Sequence, residues 1–126
     1  MNEIYILDTC VFVKEGFLID TSNIYICPYL VETEAKSPKA KMRLDCMRGQ
    51  GILEFIQPLP ECIKKAQELE IKLNEKSKKL SKTDIDVIAL GLHFKEKDKK
   101  ICIITDDGLM QKICKKNKIN CSGFFN

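Results

Sequence analysis

Five acidic side chains carry the chemistry open to this sequence: Asp8, Glu34, Asp84 and the adjacent Asp106 and Asp107. Asp8 ends the apolar run Ile4-Tyr5-Ile6-Leu7, and Thr105-Asp106-Asp107 ends the run Ile101-Cys102-Ile103-Ile104. Each run reads as a buried strand. If the two strands are parallel neighbours, their carboxylates emerge at one edge, outside the carboxyl ends of the strands, where open α/β sheets place their ligands. Carboxylates that converge without compensating bases repel one another unless a cation lies between them. Hard oxygen ligands of this kind select Mg²⁺ or Mn²⁺.

Each candidate also has a plain structural use. Asp8 alone suits a turn or a helix cap, and Asp106-Asp107-Gly108 suits an ordinary strand-to-helix turn. The balance moves towards function because both sites share one topology. Ser81-Lys82-Thr83-Asp84 has the form of a capping box, in which Asp84 serves the helix start. Its neighbours three, four and seven residues on are Val87, Ile88 and Gly91, so Asp84 lies on a face turned towards protein, where an idle charge is costly. Asp86 stands about 200° further round the helix; Asp84 is preferred, with Asp86 as the alternative. Glu32 and Glu34 pose the same choice, since one of two glutamates two residues apart faces away, and both remain open. His93 has no partner at metal-ligand spacing and receives no role.

The elements that must position these groups alternate between strand and helix. A turn or short helix over Cys10–Val13 follows the first strand, and Asn23–Cys27 supplies the second. Pro28 opens a helix expected to run to about Lys36. Ser37-Pro38 breaks it before a basic helix over Lys39–Arg48, which Gly49-Gln50-Gly51 ends. Ile52–Ile56 forms the third strand, and Glu61 to about Lys79 a long charged helix. The capping box then starts a helix that is apolar almost all round over Ile85–Phe94, the sign of burial on most sides. Lys95–Lys100 is a charged loop, and the Ile101 strand, a helix over Gly108–Lys116 and a short strand over Ile119–Cys121 complete the chain. This order predicts an α/β three-layer sandwich with a mainly parallel central sheet, built as one domain over residues 1–126.

Composition narrows the function classes. The chain has 126 residues and a net charge of +3, compatible with a nucleic-acid partner without requiring one. Lys39-Ala40-Lys41-Met42-Arg43, Lys64-Lys65, Lys78-Lys79 and Lys115-Lys116 suit either solvated surface or phosphate contact, and no aromatic interleaving points to base stacking. The cysteines at 10, 27, 46, 62, 102, 114 and 121 form no C-x-x-C, which argues against structural zinc and against a disulfide framework. The absence of a long apolar run or signal-peptide pattern predicts a soluble, cytoplasmic protein with no membrane association. A phosphatase of similar topology needs D-x-D after the first strand, where Asp8-Thr9-Cys10 stands. A receiver domain needs its acceptor Asp after the third strand, where Gln57-Pro58 stands.

Taken in order, I-L-D-T at 6–9, P-x₅-E at 28–34, L-S-K-T-D at 80–84 and T-D-D at 105–107 resemble the PIN-domain nucleases over nearly the whole chain. L-S-K-T-D-I-D-V-I-A-L-G-L and I-I-T-D-D-G-L-M-Q look most like the PIN domain of the Nob1-type endoribonucleases that mature small-subunit ribosomal RNA. E-A-K-S-P resembles that type's segment after the second strand and favours Glu34, although counting from Pro28 places Glu34 one residue late and keeps Glu32 open. The resemblance implies an acidic pocket of Asp8, Glu34, Asp84 and Asp107, with Asp106 adjacent and Thr105 in support. That pocket would bind one or two Mg²⁺ or Mn²⁺ ions and cut single-stranded RNA to give a 5′-phosphate and a 3′-hydroxyl. It further implies precursor ribosomal RNA as a substrate and a homodimer or a ribosome-assembly protein as a partner. The zinc ribbon of the Nob1 type is absent from this sequence, which admits a shortened chain, a stand-alone relative or a toxin-type PIN ribonuclease. A weakly catalytic module that binds RNA or protein is the remaining alternative.

Overall fold

A computed structural model describes residues 3–14, 20, 22–73, 79–97 and 99–123. Along the chain these form β1 (Ile4–Leu7), α1 (Cys10–Val13), β2 (Ile24–Cys27), α2 (Leu30–Glu34), α3 (Pro38–Gly49), β3 (Leu53–Phe55), α4 (Pro60–Leu73), α5 (Lys82–Glu96), β4 (Ile101–Ile104), α6 (Gly108–Lys116) and β5 (Cys121–Ser122). The strands make one sheet in the order β3-β2-β1-β4-β5, and every pairing is parallel. β1 and β4 are central neighbours, with Leu7 opposite Ile104. Asp8 continues the ladder by donating its backbone N–H to the Ile104 carbonyl. The carboxyl ends of both strands therefore open at one edge.

Strand alternation sends successive side chains to opposite faces, and each face has its own core. Ile4, Ile6, Ile26, Ile101 and Ile103 pack with α4, α5 and α6 on one side. Leu7, Tyr25, Cys27, Leu53 and Ile104 pack with α1, α2 and α3 on the other. The result is the expected three-layer α/β sandwich, with the sheet parallel throughout. α5 is buried continuously from Ile85 to Gly91. Gly91 lets it press on the sheet, because a Cβ there would come within 2.9 Å of Ile103 Cδ1.

Several element boundaries differ from those expected. Pro28 precedes its helix instead of opening it: Tyr29 is the N-cap and α2 stops at Glu34. Ser37-Pro38 starts α3 as much as it ends α2, because the Ser37 hydroxyl accepts from the Ala40 N–H and Pro38 occupies the first turn, where its missing N–H removes no helical bond. Gly51 takes a left-handed φ of 73° behind α3, a conformation that glycine reaches without strain. α5 runs to Glu96, into the expected charged loop, and the last strand lies at Cys121–Ser122. Of the long charged helix expected to run to about Lys79, α4 is described to Leu73; residues 74–78 lie outside the described residues, as does position 98.

Candidate active site

Asp8 is held at the edge of the sheet from two sides. Its Oδ2 accepts from the Thr105 hydroxyl at 2.7 Å, and its Oδ1 accepts from the Thr9 N–H at 2.8 Å. Thr105 is fully buried at the end of β4, and its carbonyl accepts from Gln111 Nε2 at 2.8 Å. Thr9 extends the arrangement to α2, donating its hydroxyl to Glu34 Oε1 at 2.7 Å. Glu34 is thereby brought to Asp8. Glu32 pairs with Arg48, so of the two glutamates it is Glu34 that is joined to the Asp8 loop.

The Asp106-Asp107 pair divides in the same manner. Asp107 is the N-cap of α6: its Oδ1 accepts from the N–H groups of Leu109 at 2.8 Å and Met110 at 3.1 Å, while its own N–H donates to Thr105 Oγ1. Asp106 reaches across to α1, where Lys14 Nζ lies 2.7 Å from its Oδ2. A local cation therefore neutralises Asp106, and Asp107 faces the other carboxylates.

Asp84 sits in a complete capping box, donating its N–H to Ser81 Oγ and accepting the Ser81 N–H at Oδ2, both at 3.1 Å. Burial and then the charge of Asp8 push its pKa up to about 6, with the Ser81 hydrogen bonds opposing and Asp107 adding. Asp8 is also raised, first by burial against the opposing hydrogen bonds from Thr105 and Thr9, then by the charges of Glu34 and Asp107. Asp8 and Asp84 thus sit in one acidic group with Glu34 and Asp107, and the charges that act on Asp8 and Asp84 are other carboxylates. Asp86 stands apart from it: the charge acting on Asp86 is that of Lys82. It is nonetheless the more deeply buried of the two α5 aspartates.

Among the described residues, no group of three or more His, Cys, Asp or Glu side chains is already arranged to hold a metal ion. The donor chemistry nevertheless fits a hard divalent cation. Glu34, Asp84 and Asp107 are each tethered through one carboxylate oxygen, and no described residue bonds to the other. Tethering fixes the backbone end of each ligand and leaves an anionic oxygen for a cation.

The basic helix, open from sequence to either solvated surface or phosphate contact, is partly committed elsewhere. Arg43 Nη1 donates to the carbonyl of Phe12 at 2.7 Å and to those of Val13 and Lys14 at 3.3 Å, closing the end of α1. Arg48 pairs with Glu32 and places its guanidinium 4.3 Å from the centroid of the Phe55 ring. Tyr29, 53% exposed, stacks on the same ring at 5.6 Å. The sequence reading missed this aromatic pair because its members come from the ends of β2 and β3, far apart in the chain and adjacent only through strand pairing. All seven cysteines are free thiols. No helix among the described residues is long and apolar enough to cross a membrane.

A family model described as the PIN domain of ribonuclease matches residues 5–94. The solved structure of VapBC2 from Rickettsia felis bound to a DNA fragment from its promoter contains a chain with the same fold: TM-score 0.64 at 17% identity, covering 96% of this chain and 98% of that one. No curated protein matches the chain. Since the family model spans β1 to most of α5, including Asp8, Glu34 and Asp84, this chain belongs to the PIN-domain ribonuclease family.

Proposed function

We propose that the chain is a divalent-metal-dependent endoribonuclease acting on single-stranded RNA, with Asp8, Glu34, Asp84 and Asp107 as its acidic set. One observation carries this reading: Asp8 and Asp84 are both raised by burial and by each other's or neighbouring carboxylates, without a base to compensate. Such a group costs stability when empty, which a folded protein tolerates where a cation or a reaction uses it. Mg²⁺ or Mn²⁺, when bound, supplies a water acidic enough to attack near neutrality and offsets charge on the scissile phosphate. Asp8 provides the fixed ligand, because both its oxygens are positioned by β4 and by the Thr9 backbone. Thr105 is a positioning residue acting through Asp8. Asp107 and Asp84 are anchored at helix starts, and Asp106 is withdrawn towards Lys14.

Within the ribonucleases two roles remain, and they share this chemistry. The L-S-K-T-D and T-D-D segments support maturation of precursor ribosomal RNA, with an assembly protein or a second copy as partner. The fold likeness to VapBC2, a protein with bound promoter DNA, supports a toxin-type ribonuclease, with a protein partner of its own, at least as well. The test is incubation of the purified chain with 5′-labelled single-stranded RNA in Mn²⁺, Mg²⁺ or EDTA. Internal cleavage in the metal lanes supports the reading, and metal-independent cleavage counts against it. Cutting at one site of a small-subunit precursor selects maturation; cutting of unrelated cellular RNA together with growth arrest on expression selects the toxin type.

A further inference from the structure

A second carboxylate in this fold has no work in the acidic group. Asp86, on α5, is only 3% exposed, yet it makes no hydrogen bond or ion pair with any described residue. An ionised group removed from water without partners is costly. Among the described residues no buried side-chain oxygen is both sealed from solvent and unpartnered, so the sliver of surface that Asp86 keeps includes its carboxylate. That surface opens into a cavity of about 660 Å³ between α4 and α5.

The lining defines what would fit. Ile63, Gln67 and Glu70 project from one face of α4 at helical spacing, and Leu80 and Ile85 close the opposite wall. Glu70 Oε2 accepts from the Leu80 N–H at 2.6 Å, which fixes this wall and leaves a second acidic side chain in the cavity. Lys82 also lines it, one turn before Asp86, and forms no ion pair with it. Two carboxylates against one ammonium repel phosphate. The apolar walls suit methylene groups, and the cavity holds more than one side chain.

We propose that the α4–α5 cavity is a docking site for a partner polypeptide that inserts an arginine side chain flanked by apolar residues, with Asp86 receiving the guanidinium. The methylene stem packs on Ile63, Leu80 and Ile85, and the planar donor fork meets Asp86 at the cavity floor, where a charge-assisted bond is strong. The side-chain amide of Gln67 offers a further acceptor. None of Asp8, Glu34, Asp84 and Asp107 lines this cavity.

The test is an amide-resolved NMR titration of the full chain with acetyl-Leu-Arg-Leu-amide and with its citrulline analogue, which has the same shape and no charge. The expected result is shifts confined to the amides of Ile63, Gln67, Leu80, Ile85 and their neighbours, with the arginine peptide binding at least about tenfold more tightly. Asp86→Asn should abolish that tenfold preference. Gln67→Lys places a competing cation on the exposed face of α4 and should weaken the arginine peptide by a similar factor, so the question stays answerable if Asp86→Asn fails to fold. Equal affinity for the two peptides overturns the proposal. So do shifts elsewhere, a preference unaltered in either variant, or the same amides moving with a single-stranded RNA oligonucleotide instead of the peptide.

Discussion

The Thr105 hydroxyl donates to Asp8 Oδ2 across 2.7 Å with both residues out of solvent, joining the ends of the two central strands. Thr105→Val keeps the shape and removes this bond together with the one that Thr105 Oγ1 accepts from the Asp107 N–H, leaving a buried carboxylate oxygen short of a donor. The expected loss is about 1–3 kcal/mol, read as a lower denaturation midpoint in urea. Cleavage should fall with it, because Asp8 loses its positioning partner, and Thr105→Ser should restore both.

Asp84 predicts a pH dependence with a definite sign. Its folded pKa, about 6, lies above the value of about 3.9 in an unfolded chain, so the folded state binds the proton more tightly. Its contribution to stability is then complete below about pH 4 and is lost as the pH rises through about 6. In EDTA, the melting temperature of wild type should carry this decline, and Asp84→Asn, which can still accept the Ser81 N–H, should flatten it. Calorimetry from pH 4 to 8 checks the slope.

Much of this arrangement was legible in the chain. The apolar runs ending at Asp8 and Thr105 gave two parallel strands with a shared edge, because a short β-rich run bounded by polar residues has few other uses. Ser81 and Asp84 announced their capping box by spacing alone. What the sequence left open depended on long-range partners. Glu32 and Glu34 differ only because Arg48 sits beside one and Thr9 beside the other. Asp106 and Asp107 differ through Lys14 on a distant helix. Helical angle separated Asp84 from Asp86 by about 200°, yet it could not show that Asp86 is buried as well, because helix periodicity contains nothing about which neighbours pack on each face.

Arg43 should behave as a structural residue despite its place in a basic helix. Arg43→Gln removes charge-assisted bonds to three carbonyls at the end of α1 and should destabilise the fold by about 1.5–3 kcal/mol, measured by urea unfolding. Lys41→Glu, at an exposed position of the same helix, should leave stability unchanged.

Lys41 on α3 and Tyr29 before α2 are exposed groups whose part in RNA contact can be separated by measurement. If Lys41 meets a phosphate, wild-type affinity should fall with salt by about 0.7 logarithmic units per contact, and Lys41→Glu should reduce that slope. If a base stacks on Tyr29, Tyr29→Ala should weaken binding by about 1–3 kcal/mol while leaving the salt slope alone. Fluorescence anisotropy of a labelled oligonucleotide at several salt concentrations separates the two effects.

The role of the carboxylate group as a whole is tested most directly by the initial rate of Mn²⁺-dependent cleavage of single-stranded RNA by wild type and Asp8→Asn, purified identically and compared with their melting temperatures in EDTA. The expected result is cleavage by wild type, none by Asp8→Asn, and a variant that stays folded, its melting temperature shifted by two opposing changes: one repelling charge has gone, and the amide can accept only one of the two bonds that Asp8 takes from Thr105 and Thr9. Equal cleavage rates in wild type and a folded Asp8→Asn would contradict a catalytic role for this group.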